Sequence, residues 1–556
     1  MIVFLAALLM ILGLIGRMVY LMVFDAEYYQ KKAEDLHERE RKIKAARGEI
    51  IDTNGTVLAT NRTVCTISVI HSQIKEPEVV IKKLSKCLGM EEAEVRKRVK
   101  KVSSMERIKT NVDKETGDKI REMELAGVKV DEDFKRYYPY NELASKVIGF
   151  TGGDNQGIIG LEVRYEDYLK GSNGRILTTT DARGIELEGV AEDRVEPVPG
   201  NDLVISLDYN IQMYAQQEAE KVMEAKGADY VSILILNPQN GEIYACVNVP
   251  EFDLNDPFTL NTGVDTSAMT DQQKQDTLNQ MWRNQCVNDT YEPGSTFKML
   301  TVLEYMKENP NTWQDYVYNC NGSYQNGDYT IKCYHGTAHG AQNLIQAFAN
   351  SCNGAFAEIG MQINSEKFRA LANQMLFNSE LPYTLPYNQS TFSLDGSSDD
   401  WEKLQTAIGQ GKTQITPLHN LMIVSAIANG GTLMKPYMID HVENVGGQTV
   451  KKFLPSAYGT LMSANDAQFL THLMSQVVEI GTGSAMRGTS YTVAGKTGSA
   501  EFETGKETHS WFVGFAPADK PKVAICVLAE ESGSGGAVAA PIARQVLDRY
   551  FAKYGQ

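Results

Sequence analysis

Residues 1–24 read MIVFLAALLMILGLIG, Arg17 and MVYLMVF, an apolar run with a single charge. As one α-helix it reaches roughly 36 Å at 1.5 Å per residue, enough for a hydrocarbon core of about 30 Å. Arg17 then lies off-centre, where its side chain snorkels toward the interface. A cleaved signal peptide has a basic start, a shorter apolar stretch and a small-residue cleavage site, and none of these is visible. A buried core helix is the other alternative, yet no other part of the chain has this composition. One membrane anchor over 1–24 is therefore expected. No Lys or Arg precedes it, whereas Lys31 and Lys32 follow it. That count alone places the bulk inside the cell. A short basic segment ahead of residue 1 reverses it, and is expected.

The remaining chain is long enough for two to four domains. With 42% hydrophobic and 22% charged residues it has the balance of folded protein. Its net charge of -16 repels a phosphate backbone, which excludes nucleic acid as a partner. The eight cysteines, Cys65, Cys87, Cys246, Cys286, Cys320, Cys333, Cys352 and Cys526, are scattered and include no CxxC pair, so no dense disulfide scaffold is expected.

After the run, EYYQKKAEDLHERERKIKAARG has helical composition. Asp52-Thr53-Asn54-Gly55 predicts a turn between two strands. From about Pro77 to Glu124, dense mixed charges with apolar residues at helical spacing predict solvated helices of a small subdomain. The Pro/Gly cluster VEPVPGND marks a domain boundary near residue 200. Beyond it, DLVISLD and a hairpin turning at Pro238-Gln239-Asn240-Gly241 read as strands. Helical segments follow, then three strands in SYTVAGKTGSA, THSWFVGFAPADK and PKVAICVLAE, and a closing helix in ARQVLDRYFAKYG. Strands at both ends with helices between predict a sheet covered by helices. The expected division is an anchor over 1–24, a non-catalytic domain over 25–200 and a catalytic domain over 201–556.

Three short motifs occur in order: Ser295-Thr296-Phe297-Lys298, Ser351-Cys352-Asn353 and Lys496-Thr497-Gly498. Each alone is weak, since a helix start, a turn and a strand end have the same composition. Their chemistry is coherent together. Pro293-Gly294 breaks the chain so that Ser295 begins a helix, and residues three apart share one helical face. Lys298 thereby reaches the Ser295 hydroxyl, a poor nucleophile until a base takes its proton. A lysine serves as base when burial or a second cation, here Lys496, lowers its pKa. Ser351 and Asn353, two apart in an extended loop, face one cleft, the first to relay a proton and the second to hold a substrate amide. Lys496 and Thr497, on an edge strand, bind a carboxylate while the strand pairs with an extended peptide. Gly498 lets the substrate backbone approach, and the backbone N–H groups of Ser295 and Ser499 are the expected oxyanion hole.

This motif set, with RGEIIDTNGTVLA, RYYPYNELASKVIGFTGGDNQGIIGLEVRYEDYLKG, SLDYNIQ, NPQNGEIYA, DTYEPGSTFK, IGQGKTQITPLH, AGKTGSAE and HSWFVGF around it, resembles the class B penicillin-binding proteins over nearly the whole chain. Within that class the likeness is to sporulation enzymes first and division enzymes second. The resemblance implies an α/β (α+β) fold: a transpeptidase domain with an antiparallel sheet flanked by helices, an elongated mixed N-terminal domain serving as dimerisation module or pedestal, and one N-terminal transmembrane helix. It implies a serine D,D-transpeptidase that attacks the D-Ala-D-Ala bond of a peptidoglycan stem peptide through Ser295, releases D-alanine, and is acylated by β-lactams. It implies no cofactor, attachment to the cytoplasmic membrane with the bulk outside, and a SEDS-type glycosyltransferase as partner. The cysteine inside Ser351-Cys352-Asn353 departs from the aspartate of β-lactamases, which puts that kinship in doubt.

Cys320, Cys333, His335 and His339 have finger-like spacing, C-x12-C-x-H-x3-H. The segment around them is rich in Gly and Asn, so a turn-rich excursion above the cleft is the simpler reading and no metal is expected. Outside the membrane thiols oxidise, and a Cys333–Cys352 bridge is expected as a redox switch opened by a thiol-disulfide oxidoreductase. Reduced thiols and a Cys320–Cys333 pair are the alternatives. Residues 25–200 are too few for a second enzyme such as a glycosyltransferase. Two other functions fit the motifs: a β-lactam sensor or idle scaffold that turns nothing over, and a hydrolase acting as carboxypeptidase or β-lactamase.

Overall fold

A computed structural model describes residues 2–26, 38–103, 105–179, 193–261, 267–501 and 505–555. They form two compact units, each assembled from separate stretches: 1–48, 60–137 and 167–201 in the first, and 49–59, 138–166 and 202–556 in the second.

The apolar run is α-helical over Ile2–Val19 and π-helical over Tyr20–Phe24. Its 18 α-helical residues reach roughly 27 Å, and among the described residues no helix is long and apolar enough to cross a membrane. The unbroken α-helix expected across 1–24 is corrected accordingly. At Tyr20 the hydrogen bonding widens to five residues, with the Asp25 N–H donating to the Tyr20 carbonyl at 3.2 Å. Phe4, Met10, Leu14 and Met22 on this segment remain exposed. Of the charged stretch read as helical, residues 27–37 lie outside the described residues. Glu38–Ile43 is instead a strand paired antiparallel with Gly174–Thr179.

In the first unit, strand residues 60–69 pair antiparallel with Val128–Tyr137 and with Glu106–Asp113. Helices Pro77–Leu88, Glu92–Val99 and Lys114–Glu122 cover this sheet. Val80, Ile81, Leu84 and Leu88 recur at helical spacing and are buried against Ile67, Val69, Ile108 and Ile120. Pro77 opens its helix at a position where no N–H is needed, and Gly89 closes it in the left-handed conformation (φ +61°). The subdomain read from Pro77 to Glu124 is thus helical with one strand inside it.

In the second unit, five antiparallel strands lie in the order Ile243–Val249, Val231–Leu236, Val523–Ala529, His509–Ala516, Ala494–Ala500. The hairpin and the three late strands occur where the sequence placed them. Side chains alternate between faces. Val231, Ile233 and Ile235 share one core with Ile211, Ala215, Ala543 and Val546 of the helices Tyr209–Lys226 and Ala539–Tyr554. Helix Pro417–Ala428, which packs on the strands Val231–Leu236, His509–Ala516 and Val523–Ala529, is buried along its whole length. Helices thus cover both faces of the sheet. Its last strand, Ala494–Ala500, pairs on one side only among the described residues, so the lysine triplet lies on a sheet edge.

Candidate active site

Ser295 occupies the middle of a 3₁₀ turn, Gly294–Thr296, and Lys298 opens the α-helix Lys298–Glu308. The turn is held from several sides. The Gly294 N–H donates to the Gly409 carbonyl (2.8 Å), Asn420 Nδ2 to Thr296 Oγ1 (3.1 Å), and Trp511 Nε1 to the Glu292 carbonyl (3.2 Å). The Phe297 ring sits among Phe368, Phe377 and Phe392. Gly294 and Thr296 are buried, while Ser295 between them is half-buried. Among the described residues its hydroxyl makes no hydrogen bond, so the expected Ser295–Lys298 contact is not made in this state. Catalytic bonds are commonly long without substrate.

The Lys298 ammonium is fully buried and turned toward the second motif. It donates to the Ser351 carbonyl (2.8 Å), Asn353 Oδ1 (2.7 Å) and Ser351 Oγ (3.4 Å). Lys496 Nζ, also fully buried, donates to the same Ser351 Oγ (3.0 Å) and to the Thr497 carbonyl (2.8 Å). Burial pulls the Lys298 ammonium down to about 8. Burial, and then the Lys298 charge, hold Lys496 well below its ordinary value. Two cations sharing one hydroxyl in a dry site repel each other, which favours a neutral amine on one of them.

Ser351 and Asn353 do not lie in the extended loop expected of them. Ser351 has a left-handed backbone (φ +55°), Cys352 caps the helix Asn353–Gln362, and Asn353 is that helix's first residue. The turn still brings both side chains to Lys298. Asn353 Nδ2 donates to the Lys332 carbonyl (2.9 Å), which leaves its second N–H for a ligand. Thr497 Oγ1 lies 2.6 Å from Thr482 Oγ1, and the Thr482 N–H donates to the Ala349 carbonyl (3.1 Å). Thr482 thus ties the third motif to the helix preceding the second, and no short motif marked it. Ser499 Oγ accepts the Gly535 N–H at 3.2 Å. A Cβ on Gly498 would stand 3.1 Å from the Thr296 methyl and 3.2 Å from the Pro293 carbonyl. That glycine admits the turn holding Ser295, a neighbour not foreseen for it.

Gly409 is the tightest of these contacts. Its φ is +78°, and a Cβ there would stand 2.1 Å from the Gly294 carbonyl oxygen. Gly409→Ala is expected to cost about 1–3 kcal/mol in backbone strain and to displace the Ser295 turn. A thermal melt should fall by several degrees, with slower reaction of Ser295 toward an acyl donor. An unchanged melt and rate would show that the turn does not depend on this contact.

Cys333 and Cys352, expected as a redox pair, are both buried with their sulfurs 3.7 Å apart. Cys320 Sγ is equally close to Cys333 Sγ (3.7 Å), and His339 Nδ1 is 3.4 Å from Cys320 Sγ. All eight cysteines are free thiols. His335 is exposed on a left-handed residue (φ +51°), so the four-residue set weighed in the sequence is corrected: Cys352, not His335, completes it.

Residues 231–548 match the family model described as Penicillin binding protein transpeptidase domain, and residues 42–205 the Penicillin-binding Protein dimerisation domain. The chain is 33% identical to Stage V sporulation protein D of Bacillus subtilis, over 96% of this chain and 82% of that protein. It is 29% identical to Peptidoglycan D,D-transpeptidase MrdA of Acinetobacter baumannii, over 97% and 85%. Among solved structures, Penicillin-Binding Protein (PBP2) in complex with MreC from Helicobacter pylori superimposes with a TM-score of 0.74 at 25% identity, covering 93% of this chain and 99% of that one.

Proposed function

This chain belongs to the class B penicillin-binding proteins, and on that premise we propose that Ser295 is the nucleophile of its peptidoglycan D,D-transpeptidase reaction, with Lys298 as the base. The observation that carries this reading is Ser351 Oγ held between two buried lysines, 3.4 Å from Lys298 and 3.0 Å from Lys496, beside the turn that presents Ser295. Neutral Lys298 takes the Ser295 proton as the oxygen attacks the carbonyl of the penultimate D-alanine. The oxyanion meets the backbone N–H groups of Ser295 and Ser499. Ser351 passes the proton to the departing D-alanine amine. An amine of a second stem peptide then attacks the ester and frees Ser295. Lys496 and Thr497, the latter braced by Thr482, hold the terminal carboxylate, and Asn353 binds the stem-peptide amide. β-Lactams acylate the same serine.

The exposed apolar segment around Arg17 supports attachment to the cytoplasmic membrane, with the catalytic unit outside it. Its contact there is a SEDS-type glycosyltransferase. The sporulation relative favours a sporulation role over a division one. The dimerisation-domain match supports a pedestal role for the residues preceding the boundary near 200. A thiol-disulfide oxidoreductase is a partner only of a chain whose Cys333 and Cys352 are bridged.

The test supplies the purified full chain with un-cross-linked glycan strands bearing pentapeptides. Released D-alanine is counted against peptide dimers. Dimers should account for most of the D-alanine. Release with tetrapeptide monomers alone would make the protein a carboxypeptidase, and acylation by penicillin without turnover would make it a sensor.

A further inference from the structure

Four side chains, each at the end of a different element, converge beside the Ser351–Asn353 turn. Cys320 ends the strand Val317–Cys320, Cys333 precedes the turn Tyr334–Gly336, His339 precedes the strand Gly340–Asn343, and Cys352 caps the helix Asn353–Gln362. Their ligand atoms all lie within 4.8 Å of one another. We infer that Cys320, Cys333, His339 and Cys352 form a tetrahedral binding site for one zinc ion.

The distances carry the inference. A tetrahedral zinc with bonds of about 2.3 Å to sulfur and 2.05 Å to nitrogen separates its ligands by roughly 3.8 Å (S···S) and 3.6 Å (S···N). The separations here are 3.7 Å for Cys320–Cys333, 3.7 Å for Cys333–Cys352 and 3.4 Å for Cys320 to His339 Nδ1. A disulfide brings two sulfurs to about 2.05 Å and excludes a third, whereas Cys333 lies equally far from two partners. Three thiolates and one imidazole are a structural zinc set, and soft sulfur ligands select that metal class.

The surroundings suit thiolates. The Gly322 N–H points at Cys320 Sγ (3.4 Å) and the Ala355 N–H at Cys352 Sγ (3.4 Å), donors that stabilise sulfur charge. The three cysteines are buried and His339 is half-buried at the rim. With four protein ligands the site is closed, so its work is positional. It fastens Cys352, between Ser351 and Asn353, to Cys333, whose neighbour Lys332 receives the Asn353 amide. Bound zinc and a Cys333–Cys352 bridge exclude each other. The site stands on these four side chains whatever reaction Ser295 performs.

The full chain, purified in detergent under reducing conditions without a metal-affinity step, should carry about one zinc per chain by elemental mass spectrometry. Cys320→Ser and His339→Ala should lose it, and His335→Ala and Ser295→Ala should keep it. Cobalt added to metal-stripped parent protein should give a thiolate charge-transfer band and the intense visible bands of a tetrahedral ion, a readout that needs no variant. His339→Ala should also slow penicillin acylation by on the order of tenfold to a hundredfold. Absence of zinc from the parent, retention of zinc by both ligand variants, an octahedral cobalt spectrum, or a disulfide peptide among these cysteines in the reduced preparation would each overturn the site.

Discussion

Ser295→Ala is expected to abolish the penicillin adduct while leaving the fold intact. Intact-mass analysis of the parent should show one added penicillin per chain, mapped to the peptide containing Ser295, and the variant should show none. The expected loss in rate is on the order of 10⁶, the scale seen when a serine nucleophile acting with its base is deleted. The structural cost is small for a specific reason. The Ser295 hydroxyl bonds to no described residue, and the turn is held by Gly409, Asn420 and Trp511 through Gly294, Thr296 and Glu292. A melting temperature near that of the parent should therefore accompany complete loss of labelling. An equal adduct on the variant would move the nucleophile elsewhere.

Lys298→Ala should slow acylation by about 10²–10⁴-fold, the contribution of a positioned base. Here the fold also suffers, because the ammonium serves three acceptors at once: the Ser351 carbonyl, Ser351 Oγ and Asn353 Oδ1. The Ser351 carbonyl and Asn353 Oδ1 then lose this donor, at up to about 1–3 kcal/mol each, while Ser351 Oγ keeps Lys496. Lys298→Met, which keeps the side-chain volume, separates the two losses: it should restore part of the melting temperature and none of the rate. Lys496→Ala is the contrast, expected chiefly to weaken recognition of the substrate carboxylate. Parental rates in Lys298→Ala together with lost acylation in Lys496→Ala would exchange the two roles.

The strands and the turn at Ser295 were legible because their signals are local. HSWFVGFA and VAICVLA are short, mostly apolar runs bounded by turn residues, and VAGKTGSA beside them carries one of three motifs that occur in order. What escaped was non-local or lacked a period. Glu38–Ile43 reads ERERKI, five successive charged residues with no apolar alternation in the sequence to separate a strand from a helix. Thr482 meets Thr497 from 15 positions away, across a connection that includes the 3₁₀ turn Ser484–Met486, so no spacing rule links them. The metal-site residues were half visible: Cys320, Cys333 and His339 stood together in the sequence. Cys352 reads in the sequence as the disulfide partner of Cys333, and only the fold brings both of them together with Cys320 and His339.

The second unit begins earlier in the chain than its catalytic motifs. Residues 49–59 and 138–166 belong to it. Ile50, Asp52 and Phe150 are wholly buried there; the Leu203 N–H donates to the Glu49 carbonyl (2.8 Å), and the Tyr209 N–H to Asp52 Oδ2 (2.9 Å). During synthesis these two stretches leave the ribosome well before the rest of the unit they belong to, and must wait for it. A polypeptide begun at residue 202 would lack them altogether, leaving the backbone of Leu203 and Tyr209 short of acceptors and the Phe252 and Trp282 rings without the Phe150 ring between them. The catalytic half is thus not detachable by trimming from the front, and a working minimal enzyme keeps residues 49–59 and 138–166 along with everything from 202 onward.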